Sequence, residues 1–471
     1  EASAAGGESS NGVKVPSANT ILIGLTVLVG AATWILPAGS FDRSWSEVLQ
    51  KEVPVPGTYH SVPQVPQGLV AMLLAPITGV QASMDICLFL LIIGGFLSVV
   101  NKTGAIDAGI ERAVGALKGR EIWMIPILML LFAANASSWG MFEESIPFFP
   151  ILIPVMMRAG FDKLTALGTI LVGCGMGLIG SLSNAFATVL ASQAVGVPFT
   201  EGIVPRAVIL VCCFAAGVVH VVRYALKVKA DPSASLVAAS REEDLQHFTS
   251  QGGEGKATEM TPRRAATLVM FTLAFVVMVW GVAAHGWSMN DMSALFLGSS
   301  SVVAVINGVS EEDFWAHFME GCKDMLGVSL VIGLATGIVN VMNAGFITDT
   351  ILDGMANTIA GLPGVVCVNA MFLLEGALSF LIPSSSGLAM LTMPIMAPLA
   401  DFSGVARHLL VTAYQSANGM VNMVTPTSGV VMGALAIARV GLFKWVEFLS
   451  PLLLQVFLIN AIVLSMWAAL I

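Results

Sequence analysis

The sequence predicts an all-α polytopic membrane protein with about 11 to 12 transmembrane helices. Of its 471 residues, 56% are hydrophobic and 11% are charged, and the mean hydropathy is +0.86. A soluble domain typically carries about 25% charged residues. The apolar residues are also grouped into long runs, and about 20 helical residues cross a hydrocarbon core. Because lipid offers the backbone no hydrogen-bond partners, these runs must be helices.

The chain begins with a small, polar stretch at 1–17, which predicts a disordered tail. Eleven apolar spans follow, and they lie at 21–36, 86–100, 122–134, 164–194, 207–226, 265–284, 294–306, 328–342, 365–381, 409–438 and 448–471. Segment 67–82 predicts either a short twelfth span or an interfacial helix. The six cysteines and six histidines form no metal-ligand spacing.

The longest polar insertion, 227–264, divides the spans into two sets. Its basic residues are Lys227, Lys229, Arg241, Lys256, Arg263 and Arg264. Basic loops remain on the cytoplasmic side of a membrane. We therefore expect a first transmembrane repeat at 18–226, a cytoplasmic linker at 227–264 and a second repeat at 265–471.

The two sets of spans carry matching segments. Residues 91–110 resemble 332–351, and the PxxxP motif that starts at Pro150 resembles the one at Pro394, so the separations are 241 and 244 residues. Each motif follows a stretch rich in Gly or Ser, which predicts re-entrant hairpins at 138–160 and 381–400. A span interrupted by polar residues follows each hairpin. Duplicated halves with matched broken helices indicate a transport site near the membrane midplane.

Broken helices supply the chemistry that such a site needs. Free N–H groups at helix ends favour anions and free carbonyls favour cations, and irregular backbone at membrane depth must be buried or line a cavity. The alternative is that small residues such as Gly180, Gly429 and Gly433 only allow close helix packing. The candidate substrate- or ion-binding residues are Ser138, Gly140, Glu143, Glu144, Ser181, Ser183, Asn184, Thr188, Ser384, Ser385, Ser386, Asn418, Asn422, Thr425, Thr427 and Ser428.

Glu143 and Glu144 stand in an apolar stretch of the first hairpin, and an ionisable group inside a membrane indicates function by default. Three interpretations remain open. The pair binds a cationic substrate such as arginine or ornithine, or binds a coupling proton or Na⁺, or forms structural ion pairs with Arg158, Lys163 or Arg206. A dicarboxylate substrate fits two carboxylates least well, because like charges repel strongly at low dielectric constant.

At these motifs the chain becomes recognisable. The runs GMFEESIPFFPILIPVM, IGSLSNAFATVLASQAVG, FLIPSSSGLAMLTMPIMAPLAD and NMVTPTSGVVMGALAIARV resemble the YfcC-type branch of the C4-dicarboxylate anaerobic carrier family, in the wider ion-transporter superfamily. The resemblance covers about residue 15 to the C-terminus. It implies two inverted structural repeats whose hairpins and broken helices meet at the substrate site. It also implies an elevator-type cycle against a homodimeric scaffold.

We therefore expect a secondary transporter, not an enzyme, in the bacterial inner membrane. One hypothesis is an amino-acid carrier or exchanger (antiporter) with a basic substrate; the alternative is a C4-dicarboxylate or other organic-anion carrier. A membrane-embedded hydrolase is a remote alternative, since Ser384–Ser386 have no His or Lys partner at a recognisable spacing. The expected partners are a small-molecule substrate and the lipid bilayer, with no nucleic acid. No cofactor is expected beyond a coupling H⁺ or Na⁺, and the Na⁺ candidates are Ser183, Asn184, Asn422 and Thr425.

Overall fold

The computed structural model of the chain describes residues 18–47, 51–106, 108–109, 112, 119–138, 140–249, 260–285 and 287–470. The predicted tail at 1–17 and part of the predicted linker, 250–259, lie outside the described residues. Two small antiparallel sheets pair β1 (Gly39–Ser40) with β4 (His60–Ser61) and β2 (Arg43–Ser46) with β3 (Lys51–Pro54). Most of the remaining described chain is helical, as predicted.

The helices of the first half are α1 (Ala18–Ile35), α2 (Leu69–Ala82), α3 (Met84–Lys102), α4 (Met124–Ser138), α5 (Phe149–Arg158), α6 (Lys163–Leu167), α7 (Gly173–Ile179), α8 (Leu190–Ala194) and α9 (Ile203–Ala230). The linker contains α10 (Arg241–Thr249). Those of the second half are α11 (Pro262–His285), α12 (Met289–Asn307), α13 (Glu311–Ala344), α14 (Thr348–Ile359), α15 (Gly364–Leu381), α16 (Ser385–Phe402), α17 (Arg407–Asn422), α18 (Gly429–Ile437) and α19 (Leu442–Leu470).

Shorter helical segments lie in the first half and in the linker. Single-turn 3₁₀ segments lie at Glu121–Trp123, Pro232–Ala234 and Ala238–Ser240, and a longer one lies at Glu143–Phe148. Two π-helical segments lie at Gly168–Val172 and Ala185–Val189. The first joins α6 to α7, and the second leads from the break after α7 into α8.

The predicted spans all fall on helices. Seven helices of the described chain are long and apolar enough to cross a membrane: α3, α4 with its preceding 3₁₀ turn, α9, α12, α13, α15 and α19. The predicted spans 164–194 and 409–438 are each broken, after α7 and after α17. Segment 67–82 is neither a separate span nor an isolated interfacial helix. It forms α2, which Ser83 joins directly to α3.

The order of helices repeats between the halves. From Leu69 to Lys102, α2 and α3 together cover the same 34-residue length as α13, and 242 residues separate their starts. In the same way α4 matches α15, α5 matches α16, α6 with α7 matches α17, α8 matches α18 and α9 matches α19. The ends of α7 and α17, at Ile179 and Asn422, are 243 residues apart. The structural repeat therefore has the separation that the sequence predicts.

Equivalent helices pack against each other in opposite directions. Cys87 of α3 and Ser329 of α13 are equivalent positions, and each side chain donates to the carbonyl of the other at 3.4 Å. Gly79 and Gly321, also equivalent, each lie against the opposite backbone, since a Cβ on either would fall about 2 Å from a carbonyl oxygen of Gly333 or Gly94. Later residues of one helix therefore contact earlier residues of the other, so the two helices are antiparallel. Each contact also occurs with the two helices exchanged, as at a two-fold axis.

Two further pairs of equivalent helices show the same antiparallel packing. Between α7 and α17, Gly175 lies against Met423 whereas Ile179 lies against Gly419. Between α9 and α19, the Cys213 and Asn460 side chains are 3.8 Å apart and the rings of Tyr224 and Phe448 are 4.9 Å apart. An axis that relates antiparallel helices is perpendicular to them. The predicted repeats are therefore inverted, with the axis in the plane of the membrane.

The helices form two groups by their packing. The frame group contains α1–α3 from the first half and α11–α13 from the second; the hairpin group contains α4–α9 and α15–α19. The groups meet mainly where α18 crosses α13 and where the 3₁₀ segment Glu143–Phe148 approaches α3. The region between α1 and α2 is fastened to α14, because Asp349 accepts from the Phe41 N–H and from Arg43, both at 3.1 Å.

The linker is anchored beneath the hairpin group by a buried ion pair. Lys163 Nζ lies 2.7 Å from Asp244 of α10, with side chains that are 2% and 5% exposed, and it also donates to the carbonyl of Arg439 at 3.0 Å. Burial lowers the pKa of the nearby His247, and the positive charge of Arg439 adds to that effect. The imidazole is therefore neutral at pH 7, and Lys163 neutralises the buried Asp244.

Candidate functional site

The first hairpin tip closes over the break between α7 and α8. The carbonyl of Ser137 accepts hydrogen bonds from the Leu182 and Ser183 N–H groups, both at 3.2 Å, and from the Ser181 hydroxyl at 3.3 Å. The Ser183 hydroxyl donates to the carbonyl of Ser138 at 3.3 Å. These bonds satisfy backbone groups that the broken helix leaves without helical partners, as membrane burial requires.

Asn184 ends the first break by capping the next helical segment. Its Oδ1 accepts from the N–H groups of Phe186 and Ala187 at 2.8 and 3.2 Å, the usual bonding of an N-cap. Gly140, with φ of +85°, lies directly against it, because a Cβ at that position would be 2.4 Å from Asn184 Oδ1. The tip therefore needs glycine both for its left-handed backbone and for this close approach.

The second hairpin tip closes over the break between α17 and α18 in an equivalent way. The carbonyl of Phe380 accepts from the hydroxyls of Thr425 and Thr427 at 3.2 and 2.6 Å. Phe380 stands 243 residues after Ser137, so the same backbone position serves as the acceptor in both halves. Ser384 caps α16 by accepting from the Gly387 N–H at 3.2 Å, and Ser428 caps α18.

An amide network joins the second tip to α17. Asn418 Oδ1 accepts from the Ser385 hydroxyl at 2.7 Å and from Asn422 Nδ2 at 3.1 Å, while Asn418 Nδ2 donates to Ser379 at 3.2 Å. Asn422 Nδ2 also donates to the carbonyl of Pro383 at 2.8 Å. Asn422 Oδ1 is buried and accepts no hydrogen bond from the described residues. It is therefore an open acceptor beside the tip.

Gln415, which the sequence interpretation missed, links the two breaks. Its Nε2 donates to the carbonyl of Ser181 at 3.0 Å, and its Oε1 accepts from the hydroxyl of Thr188. Thr188 in turn lies 2.7 Å from the Ser181 hydroxyl. Gln415 is three residues before Asn418 on α17, so the two side chains lie on neighbouring turns of one helix face. This single helix therefore contacts the polar groups of both halves.

A cleft of about 470 Å³ opens beside the second tip. It lies within the usual size range of small-molecule sites. Ser384 and Gly387 line it at the start of α16, and Arg43 and Asp349 line it on the opposite wall. Of the sequence-predicted residues, Ser384 is the one that faces this cleft, whereas Ser386 lies in the first turn of α16.

Glu143 and Glu144 lie in the 3₁₀ segment just beyond the first tip, near the boundary between the two helix groups. Glu144 is 9% exposed and its Oε2 accepts no hydrogen bond from the described residues. In the described part of the chain neither carboxylate has a salt-bridge partner. Lys163 pairs with Asp244, and Arg206 donates to backbone carbonyls, including that of Glu201 at 2.9 Å. The interpretation of structural ion pairs is therefore not supported by these contacts.

A second carboxyl group, Glu375 of α15, was also missed. Its side chain is 0% exposed, and both of its oxygens are buried without a hydrogen bond from the described residues. It lies in the predicted span 365–381, where an ionisable residue is itself the signal of a functional position. The sequence interpretation weighed only the carboxylates that adjoin the polar tips.

A model of the C4-dicarboxylate anaerobic carrier family matches residues 15–468. The chain belongs to this family. Members of a carrier family move solutes rather than convert them, so the chain is a multi-pass membrane transporter and not an enzyme.

Similar sequences and structures extend over almost the whole carrier. It is 34% identical over 489 residues to an uncharacterized protein of Haemophilus influenzae, covering 95% of this chain and 96% of that protein. It is 29% identical over 487 residues to YfcC of Escherichia coli, covering 95% of each chain, and the name of YfcC assigns it provisionally as a basic amino acid antiporter. The resemblance to the YfcC-type branch is thereby confirmed.

Two solved structures are similar at low identity. The YdaH transporter of Alcanivorax borkumensis, described as having an unusual topology, aligns with a TM-score of 0.42 and 12% identity over 97% of this chain and 99% of that chain. MtrF of Neisseria gonorrhoeae, described within a class of antimetabolite efflux pumps, aligns with a TM-score of 0.42 and 16% identity over 97% and 96%.

Proposed function

We propose that the carrier is a secondary active transporter of the bacterial inner membrane that moves a small charged organic solute by alternating access. A basic amino acid of the arginine or ornithine type is the favoured substrate, and exchange is the favoured mode. The preference for a basic substrate rests on the adjacent pair Glu143 and Glu144. This pair lies in a membrane hairpin without a salt-bridge partner among the described residues.

The charge of this pair requires compensation. A carboxylate at the centre of a membrane helix costs roughly 2.5 to 3.5 kcal/mol, and two adjacent ones also repel each other. A cationic side chain of a substrate would relieve both costs while it is bound. The provisional name of YfcC is consistent with a substrate of this charge.

The capped breaks supply groups for the other end of an amino acid. Helix N-termini attract carboxylates, and Ser384 and Ser428 begin α16 and α18 beside the amide network. Asn418 and Asn422 add amide groups for hydrogen bonds to the α-amino and α-carboxyl groups. We assign the candidate polar residues of the two tips and breaks to this substrate site, together with Gln415. These residues are Ser138, Ser181, Ser183, Asn184, Thr188, Ser384, Ser385, Ser386, Asn418, Asn422, Thr425, Thr427 and Ser428.

A C4-dicarboxylate substrate is the second candidate, and it has its own support. The N-terminus of α16 faces the 470 Å³ cleft, and helix N-termini attract anions. Arg43 also lines the cleft, where it is paired with Asp349 at 3.1 Å. The family to which the carrier belongs is also described by a C4-dicarboxylate activity.

We further propose an elevator-type cycle, in which the hairpin group moves as a unit against the frame group of a homodimer. The inverted repeats and the limited contact between the two groups support this proposal. The coupling ion is H⁺ or Na⁺; the hydroxyl and amide oxygens of Ser183, Asn184, Asn422 and Thr425 are the Na⁺ candidates.

Transport by purified protein in proteoliposomes tests the proposed substrate. We expect uptake of radiolabelled arginine or ornithine, and exchange for internal basic amino acid, but no uptake of succinate or fumarate. Glu143→Gln and Glu144→Gln should each weaken the apparent affinity for arginine about 10- to 100-fold, equivalent to about 1.4 to 2.8 kcal/mol. Glu447→Gln, which changes an exposed carboxylate of α19, is the matched control and should transport normally.

The dicarboxylate candidate predicts the opposite pattern. Uptake of succinate, unaffected by Glu143→Gln and Glu144→Gln but reduced by Arg43→Gln, would replace the basic-substrate proposal. An unchanged arginine affinity in both glutamate variants would show that the pair does not bind the substrate cation.

A further inference from the structure

Glu375 lies on α15, six residues before the predicted second hairpin, and its carboxyl group is enclosed on every side. The side chain is 0% exposed, and the helices that pack most extensively against α15 are α14, α16, α17 and α19. Thr392 on α16 and Tyr414 on α17 lie close enough to the carboxyl to interact with it electrostatically. The carboxyl is therefore shielded from lipid and from water in this conformation.

Both neighbouring hydroxyls already use their single proton elsewhere. Thr392 donates to the carbonyl of Leu388 at 3.0 Å, and Tyr414 donates to the carbonyl of Ser385 at the hairpin tip. A hydroxyl has one proton to donate but retains lone pairs that accept. Both oxygens of the Glu375 carboxyl therefore lie buried without a hydrogen bond from the described residues, which suits the neutral acid better than a carboxylate.

No charged group that the structure describes on the packed helices is placed to neutralise a carboxylate at this position. Tyr414 is an ionisable side chain that interacts electrostatically with it. The other charged groups of these helices form bonds near the helix ends: Asp349 with Arg43, Asp353 with Asn357, Asp401 with Arg407 and Lys444 with Glu447, while His408 lies beside Gly202.

The other half of the repeat shows that the fold does not require this carboxyl. The equivalent position, 243 residues earlier, is Phe132, whose ring packs edge-on against Phe148 at 5.4 Å. Helix α4 of the first half therefore carries an aromatic ring at the position where α15 of the second half buries an ionisable group. The equivalent helix accommodates phenylalanine at this position, so the carboxyl is not needed to fill the space, and a buried ionisable group in a membrane helix indicates function.

We propose that Glu375 is the coupling-proton site of the carrier, and this inference rests on the proposed secondary transport. The carboxylate takes up one proton to become the neutral acid, and the structure corresponds to that protonated state. Loss of the proton creates an anion that needs a donor. The Tyr414 hydroxyl can donate a hydrogen bond to this anion only if it gives up its hydrogen bond to the Ser385 carbonyl. The charge on Glu375 is therefore linked to the hydrogen bond that holds Ser385 at the second tip.

Glu375→Gln tests the proposal, because the amide resembles the neutral acid but cannot release a proton. In proteoliposomes we expect arginine exchange to remain within about twofold of the unaltered carrier. Accumulation driven by an imposed pH gradient, and the accompanying proton flux reported by an internal pH dye, should both be lost. Glu447→Gln should retain exchange, accumulation and proton flux.

Infrared spectroscopy of the unaltered carrier provides a readout that does not depend on transport. We expect a carbonyl band of a protonated carboxyl that persists at neutral pH, remains in the Glu143→Gln/Glu144→Gln double variant and disappears in Glu375→Gln. Absence of that band would overturn the proposal even if Glu375→Gln does not fold.

The two proposals fail in different ways. If the unaltered carrier transports none of the tested solutes, the proposed function fails, while the infrared band still decides whether Glu375 holds a proton. If the carrier accumulates substrate on a pH gradient and Glu375→Gln does so equally well, the proton site is wrong and the transport function stands. Accumulation driven by Na⁺ alone would also overturn the proton site.

Discussion

Single polar residues at the two breaks serve both the fold and the proposed site. Asn184 and Ser428 are separated by 244 residues and each caps the helical segment after its break. Asn418 has no polar counterpart, since the equivalent position, 243 residues earlier, is Gly175, which lies against Met423 in the tightly packed α7. The repeat thus shares its caps between halves, whereas the amide network belongs to the second half.

Replacement of Asn418 by alanine should remove ligand protection while the empty carrier remains folded. Asn418 connects Ser385, Ser379 and Asn422, so its loss disrupts the proposed binding groups. A ligand at 100 times its Kd stabilises a protein by about 2.7 kcal/mol, which thermal unfolding in detergent can measure with arginine as the ligand.

The control variants separate binding from folding. Asn184→Ala should also lower the stability of the empty carrier by about 0.5 to 2 kcal/mol, because it removes an N-cap. Asn357→Ala, an exposed position on α14, should leave both the empty and the protected midpoints unchanged. Full protection of Asn418→Ala by arginine would contradict the assigned site.

The sequence predicted the polar tips more completely than the residues between them. Ser181, Asn184 and Thr425 were found because several polar residues cluster within an apolar span. Glu375 stands among apolar and small residues, and its neighbour Thr392 is on a different helix. Gln415 lies between Tyr414 and Ser416, but its partner Thr188 is 227 residues away. Such long-range partners depend on how the helices pack, which local sequence patterns do not specify.

Helix packing across the pseudo-two-fold axis depends on glycines, which have no side chain to separate the backbones. Gly79 and Gly321 let α2, α3 and α13 approach until carbonyl groups nearly touch the Cα positions. Small residues commonly allow such close packing between membrane helices. The sequence predicted the repeat from motifs, but its inversion came only from the family resemblance, because the direction of packing is not encoded in a single span.

Alanine at these glycines should therefore be destabilising despite its better helix propensity. Gly79→Ala and Gly321→Ala each place a Cβ about 2 Å from a backbone carbonyl oxygen, and relief of that overlap costs about 1 to 3 kcal/mol. Gly327→Ala is the matched control on α13, since its Cβ would meet nothing within 4 Å. It should instead stabilise the helix by up to about 1 kcal/mol.

Thermal unfolding of the three variants gives the comparison. Equivalent losses for Gly79→Ala and Gly321→Ala, with no loss for Gly327→Ala, are the result expected of a two-fold contact. A neutral effect at Gly79 or Gly321 would show that α2, α3 and α13 do not pack so closely.

At the scale of the whole molecule, the arrangement is two helix groups with a narrow boundary. The hairpin group contains the tips, the breaks and Glu375, and the frame group contains the axis at Cys87 and Ser329. Their main contact is α18 against α13, where a Cβ at Gly433 would lie 2.9 Å from Val328 Cγ1. Any elevator movement must change this contact.

A disulfide across the boundary should therefore arrest transport. In a variant without the six native cysteines, Val328→Cys with Gly433→Cys should form a bond on oxidation and abolish exchange, and reduction should restore it. Gly376→Cys with Ala417→Cys is the control, because its Cβ atoms would be 3.9 Å apart, within disulfide range, and both lie in the hairpin group.

Exchange by oxidised proteoliposomes distinguishes the outcomes. The control pair should remain active when oxidised, since it fixes no movement between the groups. Full activity of the oxidised Val328–Gly433 pair would exclude a sliding movement of α18 along α13.

The reciprocal glycine contact also has a consequence for how the chain is made. Synthesis proceeds at about 5 to 20 residues per second, so α13 is completed about 10 to 50 s after the equivalent α2 and α3, which end 242 residues earlier. During that interval the glycine face of the first half has been translated while its partner has not. Lipid or another protein surface must cover it until the second half inserts in the opposite orientation. During biogenesis of this carrier the two halves of one polypeptide therefore associate only after the second half has been made, and the rate of translation sets the delay.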